Sequence, residues 1–493
     1  MPHDNPQGRP SLGLLTDLYQ LTMASGYWKL GKSEQLAVFH LFFRRPPFAG
    51  GYAIAAGLGP AIDLIEDHRF EPSDVEYLAT LRGNDGAPLF ERGFLDYLAT
   101  LRLTCDVAGM PEGTIVFGQE PLVRVQGPLL QCQLLETALL NIINFQTLIA
   151  TKASRICAAA RSEPVVEFGL RRAQGIDGGL AASRAAYVGG CAATSNVLAG
   201  KLFGIPVQGT HAHSWVMSFD TEQAAFEGYA QVLPNNCVFL VDTYDTLAGV
   251  RRAIDVGKQL RRRGHEMVGI RLDSGDLAYL SIEARRLLDD AGFPHATIVG
   301  SNDLDERIIE SLKAQGAKIA VWGVGTKLVT AFDQPALGGV YKLGALQDAS
   351  GTWQPKLKLS EQIVKTSIPG ILQVRRFENA DGFVADMIYD EIRGVDDRAT
   401  IVDANYATRR KQIPRDATGV DLLMPVVRQG QRASEPPDLN AARRRTASQL
   451  ARLHTSVRRF LHPHEYPVGI EVGLHELRDE MIRQTRDQCS RSP

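Results

Sequence analysis

Three short stretches in the middle of the chain combine residue types that could bind anions and carry out group-transfer chemistry. Residues 167–172 (EFGLRR) place two guanidinium groups after an apolar run, and residues 209–215 (GTHAHSW) contain two histidines. Residues 271–276 (RLDSGD) bring together a cation, two carboxylates and a turn glycine. Arginines bind phosphates and carboxylates through paired hydrogen bonds, and a carboxylate can stabilise the positive charge that develops during glycosyl transfer.

Two later turns are rich in glycine and small polar residues. They read GSND at residues 300–303 and GVGT at residues 323–326, and a helix-like stretch follows each of them. Glycines let backbone N–H groups approach an anion, so both turns are candidate phosphate sites. Together with the arginines, histidines and carboxylates, they suit a multiply phosphorylated sugar as substrate.

Each of these motifs also has a structural explanation. A histidine can be a hydrogen-bonded core residue, a salt bridge could account for part of residues 271–276, and Asp276 could cap a helix. The GVGT turn, taken alone, is typical of a tight turn. If residues 209–215 are extended, His211 and His213 share a face, because side chains alternate along a strand. The functional interpretation therefore depends on the motifs occurring together.

The elements that position these motifs are short predicted strands that alternate with helices. The predicted strands are Val165–Leu170, Ile205–Gly209, Val238–Asp242, Met267–Leu272, Thr297–Gly300, Ile319–Trp322 and Val340–Leu343. Such an alternation favours a parallel sheet closed into a barrel, whose active site lies at the carboxyl ends of the strands. Because the motifs follow the strands, we expect them to form one pocket.

Two regions flank this series of strands. Leu12–Leu103 mixes helix-like and strand-like stretches, including the aromatic strand Val38–Phe43, whereas Gln133–Ala160 is helical. We therefore predict an N-terminal α/β domain at residues 11–132, a catalytic α/β barrel at 133–350, and a C-terminal region at 351–493 that partly packs on the N-terminal domain.

The composition of the 493-residue chain is typical of soluble proteins. Its 54 basic and 56 acidic side chains give a net charge of −2, which offers no electrostatic surface for nucleic acid or a membrane. No apolar run approaches the roughly 18 residues that span a bilayer. The six cysteines form no CxxC pair, which favours reduced thiols. We expect a cytoplasmic protein without nucleic-acid or membrane partners.

At these motifs the sequence resembles the nicotinate phosphoribosyltransferase family over nearly the full chain. The matching stretches are residues 14–23 (LLTDLYQLTM), 167–175, 209–214, 271–276, 323–326 and 339–343 (GVYKL). The resemblance implies an irregular parallel α/β barrel, like that of type II phosphoribosyltransferases, with an additional N-terminal α/β domain and a C-terminal extension. It also implies ATP-coupled synthesis of nicotinate mononucleotide from nicotinate and phosphoribosyl pyrophosphate in NAD salvage, with Mg²⁺ as cofactor, in a homodimer with shared active sites.

The resemblance assigns expected roles to individual residues. The phosphorylated histidine of the family corresponds to His213, which we expect to be catalytic together with Asp273. Tyr19, from the partner subunit, is expected to stack on the pyridine ring opposite Phe168. The expected ligands of nicotinate or the phosphoribosyl group are Arg171, Thr210, Arg271, Asp273 and Ser274. The expected phosphate ligands are Ser301, Asn302, Gly325 and Thr326.

The residue after the Gly-Thr pair bears on the choice between nicotinate and nicotinamide. Relatives that use nicotinamide carry an aspartate at that position, where it accepts an amide N–H, whereas this chain has His211. A carboxylate substrate avoids repulsion there and can pair with Arg271. The sequence therefore favours nicotinate.

Two other functions compete with this interpretation. A metal-dependent hydrolase could use the two histidines as ligands, but it needs further ligands at other strand ends, and His265 and His295 precede their strands. A regulator could bind the mononucleotide without turnover, although no motif residue is visibly replaced.

Overall fold

The computed structural model describes residues 11–360, 366–395, 399–433, 435 and 438–491. Contacts divide the chain into two compact units. Unit 1 joins the residues up to Thr147 with those from Ala336 onward, and unit 2 consists of Leu148–Pro335. The residues after 350 thus belong to the same unit as the N-terminal residues, while the exact limits of the three expected domains stay a prediction.

Helices and strands occur throughout both units. The first part of the chain contains α1 (Leu18–Lys29), β1 (Leu36–Phe43), β2 (Ala53–Ile54), α2 (Leu58–Asp67), α3 (Pro72–Thr80), α4 (Arg92–Thr100), β3 (Asp106–Gly109), β4 (Ile115–Val116), β5 (Val123–Pro128), α5 (Leu129–Leu134) and α6 (Glu136–Ala160). The middle part contains β6 (Val165–Glu167), a 3₁₀ helix (Leu170–Arg172), α7 (Gly175–Val188), β7 (Ala193–Thr194), α8 (Val197–Phe203), α9 (His213–Met217), α10 (Glu222–Val232), β8 (Val238–Leu240), α11 (Thr246–Arg262), β9 (Gly269–Leu272), α12 (Leu277–Asp290), β10 (Thr297–Gly300), α13 (Glu306–Ala314), β11 (Val321–Val324) and α14 (Thr326–Val329). The last part contains β12 (Gly339–Gln347), β13 (Trp353–Pro355), β14 (Leu372–Asn379), β15 (Gly382–Asp390), β16 (Thr400–Val402), β17 (Arg410–Gln412), β18 (Thr418–Asp421), β19 (Met424–Arg428), β20 (Gln431–Arg432), α15 (Leu439–Arg452), β21 (Val468–Glu471) and α16 (Val472–Arg491). Over the described residues, none of these helices is long and apolar enough to cross a membrane.

Unit 1 is built on two large sheets. One has the strand order β13-β12-β1-β5-β3-β19-β20, and the other has the order β17-β16-β21-β15-β14-β18. In β1 every residue after Leu36 is buried. β1 pairs antiparallel with β12, from Ala37 opposite Leu346 to Phe43 opposite Gly339. The predicted strand at Val38–Phe43 is therefore confirmed.

The position of β12 corrects one prediction. Val340–Leu343 is expected to be the last strand of the parallel series, but these residues lie in β12, antiparallel to β1 in unit 1. A short apolar run predicts a strand but does not reveal the sheet to which the strand belongs. The predicted helix at Gln133–Ala160 is confirmed by α5 and α6.

A six-stranded parallel sheet forms the centre of unit 2. Its order is β7-β6-β11-β10-β9-β8, and every neighbouring pair is parallel. Five of the predicted strands correspond to β6, β8, β9, β10 and β11, which confirms a mixed α/β fold with a parallel sheet. The predicted strand Ile205–Gly209 does not form, and its Val207 makes only an isolated bridge to Thr194. The two-residue strand β7 was not predicted.

Acidic residues begin three of the helices that follow these strands. Asp245, Asp276 and Asp305 cap α11, α12 and α13, and each carboxylate accepts hydrogen bonds from backbone N–H groups of the first turn. Such caps satisfy donors that have no partner within the helix and help to set where it starts. The structural explanation of Asp276 is therefore confirmed.

Candidate functional site

A polar cluster centred on Arg271 lies at the carboxyl ends of the parallel strands of unit 2. The Nε of Arg271 donates to Ser301 Oγ at 2.8 Å, and its Nη1 donates to Thr210 Oγ1 at 3.0 Å. The third side of the guanidinium, Nη2, donates to Asp273 Oδ1 at 2.9 Å, and Ser301 Oγ donates to the same oxygen at 2.5 Å. Four predicted site residues from three separate segments therefore meet.

The charges within this cluster favour an ionised Asp273. Burial acts to raise the pKa of Asp273, but the hydrogen bond from Ser301 and the charge of Arg271 outweigh it and hold that pKa below its ordinary value. Asp273 is therefore a carboxylate at neutral pH. A carboxylate at this position can stabilise positive charge on a reacting sugar, while the guanidinium of Arg271 can face an anion.

An aromatic ring lies next to the cluster. The backbone N–H of Phe168 donates to Val324 O at 2.8 Å, and Arg271 Cζ lies 5.5 Å from the centre of the Phe168 ring. The ring packs on the backbone of Gly323, where an added Cβ would lie 2.5 Å from Phe168 Cε2. Only glycine allows this close approach. The arrangement offers an apolar face beside a cation, as an anionic aromatic ligand requires.

His213 lies at the edge of the cluster. It is the first residue of α9, and 39% of its side chain is exposed. Its Nδ1 lies 3.1 Å from Thr243 Oγ1, and its Nε2 lies 3.8 Å from Asp273 Oδ2. The ring is thus held by its neighbours and still open to solvent, which suits a nucleophile.

His211 lies in a different environment from His213. Its side chain is buried, its ring packs against Tyr229 with 4.9 Å between ring centres, and its Nε2 accepts a hydrogen bond from Leu240 N at 3.2 Å. Burial lowers the pKa of His211 and keeps the ring neutral. The chain is extended at Ala212 and enters α9 at His213, so the two histidines lie in different surroundings. With its Nε2 engaged by the backbone, His211 does not form a pair of metal ligands with His213.

Two further candidates, Asp242 and Thr243, lie just after β8 and were not singled out in the sequence. Asp242 Oδ2 accepts hydrogen bonds from Asp273 N at 2.8 Å and from Ser274 Oγ at 2.7 Å. Its other oxygen, Oδ1, is buried and has no partner among the described residues. The rule that found the other motifs, polar residues at the carboxyl end of a strand, also applies to this pair.

The two glycine-rich turns follow the adjacent strands β10 and β11. Asn302 is exposed and has a φ of 124°, an unusual conformation for a residue other than glycine. Gly325 and Thr326 lead from β11 into α14. The next residue, Lys327, pairs with Asp305 through Nζ and Oδ2 at 2.7 Å. This ion pair links the segment after β10 to the segment after β11.

Two other predicted site residues are exposed. Arg171 is exposed in the 3₁₀ helix that follows Phe168. Tyr19 belongs to α1 of unit 1, where it is 48% exposed. Their roles stay predictions.

The chain is similar to known proteins over nearly its full length. Three family descriptions match successive parts of it: the nicotinate phosphoribosyltransferase (NAPRTase) N-terminal domain at residues 14–144, the nicotinate phosphoribosyltransferase (NAPRTase) family at residues 164–370, and the nicotinate phosphoribosyltransferase C-terminal domain at residues 373–478. The chain is 45% identical to a Bacillus subtilis nicotinate phosphoribosyltransferase, over 97% of this chain and 96% of that protein. A Mycobacterium tuberculosis nicotinate phosphoribosyltransferase is 40% identical, over 93% of this chain and 91% of that protein. The crystal structure of human nicotinic acid phosphoribosyltransferase superposes with a TM-score of 0.83 at 33% identity, covering 94% of this chain and 99% of that one.

Proposed function

Because the chain belongs to the nicotinate phosphoribosyltransferase family, we propose that it forms nicotinate mononucleotide and pyrophosphate from nicotinate and phosphoribosyl pyrophosphate, as a step of NAD salvage. The observation that carries this proposal is a cluster of four side chains beside the ring of Phe168, namely Thr210, Arg271, Asp273 and Ser301. The five cysteines that the structure describes are free thiols, which fits the cytoplasm that we propose as the compartment.

Nicotinate carries a carboxylate, and we assign Arg271 as its cationic partner. The guanidinium has five N–H groups, of which three are directed at Thr210, Asp273 and Ser301. These bonds fix the plane of the guanidinium and leave two N–H groups without a partner among the described residues. The adjacent ring of Phe168 supplies a face on which the pyridine ring can stack.

The phosphoribosyl group is proposed to bind over the neighbouring strand ends. The pyridine nitrogen attacks the anomeric carbon, a C–N bond forms, and pyrophosphate leaves with the electrons of the broken C–O bond. Asp273, held as a carboxylate, offsets the positive charge that develops on the ribose during this step. We assign the remaining contacts to ribose and phosphates to Arg171, Thr210, Ser274, Ser301, Asn302, Gly325 and Thr326.

We further propose that His213 carries a phosphoryl group taken from ATP. A ring nitrogen with a free lone pair attacks the γ-phosphorus, the bond to ADP breaks, and later hydrolysis of the phosphohistidine restores the imidazole. The partly exposed ring beside Thr243 and Asp273 supports this role. A phosphoryl group adds negative charge next to the cluster, and so it can reorganise the cationic side chains and tighten the phosphoribosyl site.

Transfer from ATP calls for Mg²⁺, and the carboxylates beside His213 fit this ion. In the part of the chain that the structure describes, no group of three or more His, Cys, Asp or Glu side chains could hold a metal. Mg²⁺ keeps several waters, however, and usually takes one or two carboxylates together with substrate phosphates. Asp242, with its unpartnered buried Oδ1, and the neighbouring Asp273 would hold it. Bound there, Mg²⁺ would offset the negative charge of the phosphates.

The parallel sheet of unit 2 is proposed to close into the irregular barrel of type II phosphoribosyltransferases. Its edge strands are β7 and β8. Val207 bridges to Thr194 of β7, and four residues later His211 accepts a hydrogen bond from Leu240 of β8. One segment thus contacts both edges of the sheet, which supports closure.

The proposed reaction is tested by product formation. We expect the purified protein to form nicotinate mononucleotide slowly from its two substrates, and faster with Mg²⁺ and ATP, with ADP appearing. Nicotinamide is the control substrate and should give far less product, because it lacks the carboxylate that Arg271 binds. Binding of nicotinate without any product would contradict the proposal and favour a non-catalytic binding protein.

The proposed homodimer shares its active sites, with Tyr19 of one subunit serving the pocket of the other. Tyr19→Ala chains and His213→Ala chains should each lack ATP-stimulated activity, whereas their mixture should recover it, because each heterodimer has one site free of both changes. The measurement is the ATP-stimulated rate after verified subunit exchange. As the control, Tyr19→Ala chains are mixed with chains that carry both substitutions, which restores no site. Equal rates in the two mixtures would exclude shared sites.

A further inference from the structure

A fully buried carboxylate stands directly behind the proposed nicotinate site. Glu167 is the last residue of β6, immediately before Phe168, and it is 0% exposed. Burying a carboxylate is costly unless hydrogen bonds replace its water, and an apolar side chain such as those of Val165 and Val166 would fill a buried strand position at lower cost. The carboxylate at this buried position is therefore expected to have a role that an apolar side chain could not fill.

Hydroxyl groups from two neighbouring elements point at Glu167. Its Oε2 accepts hydrogen bonds from Ser183 Oγ of α7 at 2.8 Å and from Thr194 Oγ1 of β7 at 2.6 Å. Asn196 lies behind both hydroxyls, donating to Ser183 Oγ through Nδ2 at 3.1 Å and to Thr194 Oγ1 through its backbone N–H at 3.0 Å. Because each hydroxyl oxygen accepts from Asn196, its hydrogen can be directed at the carboxylate.

The other carboxylate oxygen of Glu167 holds the turn that carries Phe168. Glu167 Oε1 accepts a hydrogen bond from the backbone N–H of Gly169, and the N–H of Phe168 donates to Val324 O at 2.8 Å. The backbone is therefore fixed at Phe168 and again one residue later. Gly169 is also confined by packing, since an added Cβ would lie 2.3 Å from Val329 Cγ1.

We propose that Glu167 is a positioning residue for the reaction, which acts with Ser183 and Thr194 to hold the Phe168 ring and the start of the Arg171 turn where nicotinate binds. The inference rests on the proposed role of Phe168 as a stacking surface. Glu167 touches no substrate in this scheme. It acts through the Gly169 N–H, and the two hydroxyls keep its carboxylate oriented.

The test replaces Glu167 by glutamine, which has the same shape but turns one acceptor oxygen into an NH₂ group. Either the Gly169 N–H or the two hydroxyls then lose their acceptor, so the turn is less well held. We expect KM for nicotinate to rise about tenfold, while KM for phosphoribosyl pyrophosphate and the labelling of the protein by ATP change less than about twofold. A purely structural role would lower the melting temperature and leave both KM values of the folded protein unchanged, and this result would overturn the inference.

A milder pair of variants keeps the test decisive if Glu167→Gln does not fold. Thr194→Val removes one hydroxyl with little change in volume and should raise KM for nicotinate, whereas Thr194→Ser keeps the hydroxyl and should restore the wild-type value. Ser281→Ala is the matched control. Ser281 is a fully buried hydroxyl of α12 in the same unit that donates to Ala278 O and accepts from Lys318 N, and its loss should leave KM for nicotinate unchanged. Equal KM values for Thr194→Val and Thr194→Ser would count against the positioning role.

The stacking role of Phe168 is measured in parallel with Phe168→Leu. A raised nicotinate KM in Phe168→Leu, with wild-type values in the Glu167 and Thr194 variants, would overturn the positioning role and leave the proposed function standing. A wild-type nicotinate KM in Phe168→Leu would overturn both assignments.

Discussion

Replacing His213 by alanine is expected to abolish ATP hydrolysis and the phosphorylated form of the protein. The neighbouring His211 is not expected to replace it, because its ring is buried and its Nε2 accepts from the backbone N–H of Leu240. Slow transfer without ATP should remain, since Arg271, Phe168 and the glycine-rich turns are unchanged. The measurement is acid-labile label from γ-labelled ATP, together with the rate of nicotinate mononucleotide formation.

A histidine outside the site provides the control for this loss. His265 is partly exposed in the same unit, where its Nδ1 lies 2.7 Å from Asn235 Oδ1, and it precedes β9. His265→Ala should therefore keep wild-type labelling and ATP stimulation. Label that persists on the His213→Ala protein, or a wild-type protein that is never labelled, would show that His213 is not the phosphate carrier.

Replacing Arg271 by glutamine should lower kcat/KM for nicotinate by roughly 10- to 100-fold, since a lost hydrogen bond to a charged group costs about 1.5–3 kcal/mol. The same change removes one of the groups that hold the pKa of Asp273 low, so that pKa should rise. Steady-state kinetics of the folded variant with nicotinate at several pH values measure both effects.

The control for Arg271→Gln is another arginine that makes several hydrogen bonds. Arg285 of α12 donates to the carbonyl oxygens of Ala296 and Phe293 and to Asp289, and none of these groups belongs to the cluster. Arg285→Gln should lower stability but leave kcat/KM of the folded protein close to wild type. Unchanged nicotinate kinetics in Arg271→Gln would remove Arg271 from the substrate site.

Much of the candidate site follows from one rule, that functional residues lie at the carboxyl ends of parallel strands. The rule groups Arg271, Asp273 and Ser301, which lie at the ends of β9 and β10. It adds Thr210 only through the predicted strand Ile205–Gly209, which forms no more than a bridge at Val207. It could not separate His211 from His213. That distinction depends on the point where the chain turns into α9 and on the aromatic side chains that surround one ring, including Tyr229, and neither is visible in a two-residue spacing.

The errors in the fold concern the partner of one strand and two short segments, Ile205–Gly209 and β7. β12 reads as a strand by its residues, but its pairing with β1 joins segments about 300 positions apart. β7 is too short, at two residues, to show any periodicity. Asp242 was not predicted as a site residue. Its Oδ2 accepts hydrogen bonds from the backbone N–H of Asp273 and the hydroxyl of Ser274, and these contacts form only once β8 and β9 have paired.

The division of unit 1 into two separated segments constrains the order in which the chain can fold during translation. When the ribosome has made Pro335, all of unit 2 exists, but β1 still lacks β12, its antiparallel neighbour. The edge of β1 that later pairs with β12 stays unpaired while more than half of the protein is synthesised. Unpaired apolar strand edges promote aggregation. Closing so long a loop also carries a larger entropic cost than local pairing, which slows the step. Unit 2 can therefore form early, whereas unit 1 is completed only after β12 has been made.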